Sequence, residues 1–112
     1  MSPLYAFIGD DFTGSTDVLE QLAEGGVPAV LFLRTPDAAL RARFPEARAI
    51  GIASDARSRS PEWMEAELPA MFAALGDAGL IHYKTCSTFD SAPHVGSIGR
   101  ALEIGVRSFG AP

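Results

Sequence analysis

Short apolar runs alternate with stretches of helical periodicity along this chain. Four runs read as buried strands: Tyr5–Gly9, residues 27–33, Ala49–Ala53 and Leu80–Lys84. Between and after them, apolar residues recur at helical spacing in residues 15–24, more weakly in residues 36–43, in the segment that begins at Ser60, and from Ile98 to Phe109. The pattern therefore predicts four strands, each followed by a helix.

The signals at the element ends agree with this division. Gly25 and Gly26 supply a left-handed stop for the first helix, and Ser60 followed by Pro61 is a strong helix start. The helix after Ser60 carries one apolar stripe, consisting of Met64, Leu68, Met71, Phe72 and Leu75. Because Pro69 lies inside this stripe, we expect a kink or an early break there.

Strands that alternate with helices indicate an α/β fold. We expect a Rossmann-like, open, mostly parallel sheet of at least four strands with helices on both faces, in one domain that spans residues 1–112. The chain stops just after a helix, where another strand would be expected, and this favours an incomplete domain.

Composition and charge narrow the function classes. The 112 residues are 47% hydrophobic and 21% charged, which is typical of one globular domain. The net charge of −5 disfavours nucleic acid and anionic membrane partners, and no apolar run approaches the ~20 residues of a membrane-spanning helix. With a single cysteine, Cys86, and no basic segment ahead of an apolar signal region, the chain is predicted to be cytoplasmic.

Polar loops follow three of the predicted strands, and in open α/β sheets ligands bind at the carboxyl ends of the strands. The first loop contains Asp10 and Asp11, either of which could accept a hydrogen bond from a substrate hydroxyl or act as a general base. Capping of the following helix explains a carboxylate there equally well. Two successive acids followed by Thr13 and Gly14 favour function.

The other two loops offer positive charge and hydroxyl groups. Arg57 and Arg59 could hold a carboxylate or could simply be solvated. Lys84 lies at a strand end, where its ammonium group could neutralise an anion or extend into solvent. The run from Cys86 to Ser91 could bind a polyol or form an ordinary turn.

Several sharper chemistries are absent from the sequence. It contains neither a Gly-x-x-x-x-Gly-Lys-Ser/Thr loop nor a Gly-x-Gly-x-x-Gly loop, so neither common phosphate cradle is present. Two histidines and one cysteine make a closed structural zinc site improbable, and we predict no metal site.

Three segments together resemble the four-carbon acid sugar kinase family, the ATP-dependent kinases of tetronates. They are the run from Ile8 to Asp17, Ser58-Arg59-Ser60, and the run from Lys84 to Ser91 with Gly96-Ser97-Ile98-Gly99. In that family an N-terminal domain binds the acid sugar and a separate C-terminal domain binds the nucleotide. The resemblance thus implies that this chain is the sugar-binding N-terminal domain and that ATP and Mg²⁺ are bound by a C-terminal domain absent here.

The resemblance also implies the site residues. It assigns catalysis to Asp10 and Asp11, and substrate binding to Thr13, Gly14, Arg59, Lys84, Ser87, Thr88, Asp90 and Ser91. The expected substrate is a small anionic sugar acid of the threonate, erythronate or 3-oxo-tetronate class. The chain by itself is predicted to be inactive, and a homodimer is the default expectation for its assembly.

One alternative from another functional class stays open at this point. The chain could be a stand-alone module that binds a small organic acid, or senses one, without catalysis. A nucleotide-binding continuation of the chain would favour the kinase over the module.

Overall fold

A computed structural model describes residues 2–88 and 90–110 of the chain. Its strands are β1 (Tyr5–Gly9), β2 (Ala29–Phe32), β3 (Ala49–Ala53) and β4 (Leu80–Lys84). Its helices are α1 (Phe12–Glu24), α2 (Ala38–Arg41), α3 (Pro61–Ala74) and α4 (Ile98–Phe109), with a short 3₁₀ turn at Ala56–Ser58. The predicted alternation of strands and helices is confirmed.

The four strands form one sheet in the order β2-β3-β1-β4, and every neighbouring pair is parallel. Gly9 lies opposite Ala53 on one side and opposite Lys84 on the other. The carboxyl ends of β1, β3 and β4 therefore meet at one edge, so the three polar loops that follow them start side by side.

Helices cover both faces of the sheet, as predicted for the α/β class. On one face Ile8 and Ile52 join a buried core with Met64, Leu68 and Ile104 from α3 and α4. On the other face α1 packs against β1, β2 and β3. Phe7 is fully buried on that second face, and its ring lies over Gly51, where a Cβ would come within 2.1 Å of the ring.

Strand β2 and helix α2 are shorter than predicted, and the bounds of two further helices differ for reasons that the structure shows. Helix α1 begins three residues before the predicted start, because the Asp11 side chain accepts a hydrogen bond from the Gly14 amide and caps the helix there. Helix α3 continues through Pro69 to Ala74, so the expected early break is wrong. Leu68, Met71 and Phe72 are buried around the proline, and this packing compensates for one lost backbone hydrogen bond.

Strand β4 lies at an edge of the sheet. The Leu80 amide donates to the Leu4 carbonyl and the Lys84 carbonyl accepts from the Asp10 amide. Because peptide groups in a parallel strand alternate in direction, those of Ile81 and Tyr83 point away from β1. Leu80, with 62% of its surface exposed, lies at the start of this open edge.

Across the described ranges 2–88 and 90–110, no helix combines the length and the hydropathy that crossing a membrane requires.

Candidate functional site

The two carboxylates of the first polar loop, Asp10 and Asp11, have different surroundings. Asp11 Oδ1 accepts from the Gly14 amide at 2.9 Å, and the Asp11 carbonyl accepts from Ser15 Oγ at 2.7 Å. Asp11 thus caps α1, as one of the two interpretations of the sequence proposed. A Cβ on Gly14 would lie 2.5 Å from Asp11 Oδ1, so a larger residue there would have to displace this carboxylate.

Asp10 is enclosed instead, with only 2% of its surface exposed. Burial raises the pKa of its carboxyl group, while a hydrogen bond from the backbone of Cys86 opposes that rise. Among the described residues, Oδ1 of Asp10 has no hydrogen-bond partner. A buried carboxylate oxygen without a partner is costly, so this atom favours a proton or a donor group from a ligand.

The loop after β3 is tied to the end of β1. Ser54 donates to the Gly9 carbonyl through both its amide, at 3.0 Å, and its hydroxyl, at 2.7 Å. The Arg57 amide donates to the Asp10 carbonyl at 3.0 Å, and Arg57 Nη1 donates to Asp11 Oδ2 at 3.2 Å. These bonds place the Arg57 guanidinium directly beside the acid pair.

The loop after β4 completes the group from the other side. Lys84 Nζ donates to the Thr85 carbonyl at 2.7 Å and lies 3.6 Å from the point where a Gly14 Cβ would be. Beyond it, the Cys86 thiol, the Thr88 hydroxyl and Asp90 Oδ1 form a chain of two hydrogen bonds, each 3.0 Å long. Cys86 is buried at this end of the chain of hydrogen bonds.

Gly96 joins the loop after β4 to the loop after β3. Its amide donates to the Arg59 carbonyl at 2.8 Å, and its φ of 61° lies in the left-handed region. A Cβ on Gly96 would lie 2.2 Å from the carbonyl oxygen of Arg57. Glycine is therefore the residue that allows the two loops to approach so closely.

The remaining predicted site residues lie around this group. Arg59 Nη2 donates to Asp55 Oδ2 at 2.8 Å, and its guanidinium lies 5.4 Å from the centre of the Trp63 ring, so it is not directed at the acid pair. Ser91 Oγ accepts from the Ile98 amide at 2.9 Å at the start of α4. Thr13 and Ser87 are exposed, and Phe89, the apolar member of the predicted loop run, lies outside the described residues.

We call the group formed by Asp10, Asp11, Arg57, Lys84 and Cys86 the carboxyl-edge cluster. Its two cations balance its two carboxylates if Asp10 is ionised, and one positive charge is left over if Asp10 is protonated. The protonated state can attract a small anion, whereas the ionised state can accept a proton from a hydroxyl group.

Arg57 and Cys86 are the members of the cluster that the resemblance did not assign to the site. The sequence places Arg57 and Arg59 two residues apart in one loop, and the short 3₁₀ turn decides which of them faces the acids. Arg57 is within that turn, whereas Arg59 follows it in extended backbone. The only sequence signal for Arg57 was its presence, with Arg59, in the loop after β3.

No metal centre is evident in the part of the chain that the structure describes. Within residues 2–88 and 90–110, no three His, Cys, Asp or Glu side chains are grouped so that they could hold a metal ion. The carboxyl-edge cluster instead pairs each carboxylate with a nearby cation or amide.

Comparison with known proteins gives a matching family and several relatives. The model of the family described as sugar-binding N-terminal domain matches residues 5–112. The chain is 56% identical over 106 residues to a 3-oxo-isoapionate kinase of Paraburkholderia graminis, a match that covers 93% of this chain and 23% of that protein.

Two further relatives are named 3-oxo-tetronate kinase. The one from Pseudomonas fluorescens is 38% identical over 104 residues, covering 89% of this chain and 24% of the relative. The one from Escherichia coli is 38% identical over 96 residues, covering 82% of this chain and 23% of the relative. The chain thus spans about a quarter of the length of the relatives it matches.

Proposed function

Because this chain belongs to the family of sugar-binding N-terminal domains, we propose that it is the substrate-binding part of an ATP-dependent kinase that phosphorylates a four-carbon sugar acid. The observation that carries this proposal is the carboxyl-edge cluster, in which cations and carboxylates from three loops lie side by side. Its cations suit the acid group and its carboxylates suit the hydroxyl groups of such a substrate. The kinase names of the relatives support the class of reaction.

Asp10 is the carboxylate that we propose as the proton acceptor for the reacting hydroxyl group. Its Oδ1 lacks a partner, and a carboxyl group with a raised pKa is a stronger base than an ordinary aspartate. Because Asp10 is enclosed, a hydroxyl group reaches this oxygen only if one of the groups around it moves. Asp11, already engaged by Gly14 and Arg57, has the positioning role.

The other assigned residues are proposed to surround the substrate. Lys84 and Arg59 would supply positive charge to the acid or to the transferring phosphoryl group. Hydroxyl, carboxylate and backbone groups would hydrogen-bond the substrate at Thr13, Gly14, Ser87, Thr88, Asp90 and Ser91.

ATP and Mg²⁺ do not fit the described residues, which offer neither a glycine-rich phosphate cradle nor a grouped set of metal ligands. We propose that both are bound by polypeptide that the relatives have beyond the matched quarter. We further propose a cytoplasmic location, which the single unpaired Cys86 fits, and a homodimer as the simplest symmetric assembly.

A kinase assay on the longer protein would test this proposal. With ATP, Mg²⁺ and a panel of tetronates and 3-oxo-tetronates, phosphorus NMR should detect one phosphorylated acid, whereas the 112-residue chain should give none. Asp10→Asn should lower kcat by about 100-fold or more, the usual contribution of a general base. Asp77→Asn, which alters an aspartate paired with Arg41 and distant from the cluster, is the control and should retain wild-type activity.

Two results would count against the proposal in different ways. Absence of phosphorylation for every sugar acid would refute the function. Wild-type kcat in Asp10→Asn, together with phosphorylation by the wild type, would refute only the role of Asp10.

A further inference from the structure

Arg57 is fixed in the carboxyl-edge cluster from three directions. Its amide donates to the Asp10 carbonyl, its carbonyl lies against Gly96, and its Nη1 donates to Asp11 Oδ2. The backbone on both sides of the side chain is therefore held by neighbouring loops. A guanidinium positioned in this way loses little conformational freedom when it binds a ligand.

The guanidinium of Arg57 still has donors to offer. Asp11 takes one bond, from Nη1, out of five N–H groups on a planar fork, and 36% of the side chain is exposed. Two parallel N–H groups match the two oxygens of a carboxylate, which a single ammonium group does not.

The other two cations near the cluster are less suited to this task. The guanidinium of Arg59 also pairs with one aspartate, Asp55, but it lies over the Trp63 ring and not beside the acid pair. Lys84 Nζ is held by the carbonyl of the next residue, Thr85. Arg57 is thus the cation of the cluster with a free, planar set of donors.

We propose that Arg57 binds the carboxylate of the sugar acid and thereby determines that the site takes acids rather than neutral polyols. Asp11 is the positioning residue that holds the fork at the correct angle. This inference rests on the proposed function, because it assumes that a sugar acid binds at the carboxyl-edge cluster.

Binding calorimetry on the longer protein would test the assignment. The probes are threonate, erythronate and the neutral threonamide, which keeps the hydroxyl groups and loses the charge. Arg57→Ala should weaken binding of the acid by at least about tenfold, as expected for a charge-assisted hydrogen-bonded pair, and should leave threonamide binding within about twofold. Arg57→Lys should recover only part of the loss because lysine lacks the planar fork.

Two further variants make the comparison specific. Arg41→Ala removes a guanidinium that also pairs with an aspartate at 3.1 Å, but away from the cluster, and should bind as the wild type does. Arg59→Ala tests the other arginine of the loop and should have a smaller effect than Arg57→Ala. Circular dichroism melting of each variant establishes that the fold is retained, and Arg57→Lys replaces Arg57→Ala if the alanine variant does not fold.

The outcomes separate the inference from the proposed function. If the wild-type protein binds neither acid, both are overturned. If it binds an acid but Arg57→Ala and Arg57→Lys keep the ratio of acid to amide affinity, or if Arg59→Ala causes the larger loss, only the assignment to Arg57 is overturned.

Discussion

Replacement of Gly96 by alanine should disturb the site more than its small size suggests. Gly96 has a φ of 61°, and the added Cβ would lie 2.2 Å from the carbonyl oxygen of Arg57. This neighbour is backbone, held by the bond from the Arg57 amide to the Asp10 carbonyl, so it cannot rotate away as a side chain could. One of the two loops has to shift.

The cost of this replacement has two parts. A left-handed alanine costs about 1–2 kcal/mol relative to glycine. Overpacking against a fixed group adds about 1–3 kcal/mol. The matched control is Gly26→Ala, since Gly26 has a φ of 77° but nothing within 4 Å of its added Cβ, and therefore carries only the first part.

Urea unfolding and thermal melting of the two variants would measure the difference. Gly96→Ala should be less stable than Gly26→Ala by about 1–3 kcal/mol, the contribution of overpacking. At about 4 °C per kcal/mol for a domain of this size, its Tm should be lower by about 4–12 °C. Equal stabilities would show that the contact between Gly96 and Arg57 is not tight, and glycine would then not be what allows the two loops to approach so closely.

Two further predictions concern the buried groups. Burial raises the pKa of Asp10, so the folded chain binds the proton of this carboxyl group more tightly than the unfolded chain does. The resulting stability is present at low pH and is lost as the pH rises above about 4 through the folded pKa. Urea unfolding should therefore show Asp10→Asn gaining stability relative to the wild type between about pH 3.5 and pH 7, whereas a difference independent of pH would contradict the burial argument. Gly51→Ala should lower the free energy of unfolding by about 1–3 kcal/mol because its Cβ meets the buried ring of Phe7. Phe7→Leu in the same chain should recover part of that loss in a double-mutant cycle. Strict additivity would mean that the two residues do not touch.

Much of the fold could be predicted from local signals. The strands Tyr5–Gly9, Ala49–Ala53 and Leu80–Lys84 are short apolar runs that end in polar loops, and the structure has them at the predicted bounds. The early start of α1 depends on a side-chain cap, and the continuation of α3 through Pro69 depends on core packing. The spacing of apolar residues reports neither of these.

The site was harder to predict because it depends on the direction in which side chains point. That Asp10, Asp11 and Lys84 come together follows from the parallel order of three strands. Arg57 and Arg59 lie in one loop. Arg57 is the one beside the acids because it forms hydrogen bonds to residues about 46 positions earlier in the chain. A sequence pattern of two arginines holds no information about such distant bonds.

The open edge of β4 also affects how the isolated chain will behave in solution. The peptide groups of Ile81 and Tyr83 form a ready template for any extended segment, and Leu80 provides an apolar starting contact beside them. Natural sheets protect such borders with charge, with proline or with another strand. A preparation of this chain alone is therefore expected to stay monodisperse only when dilute. Leu80→Lys is the simplest change that would discourage pairing between molecules at this edge.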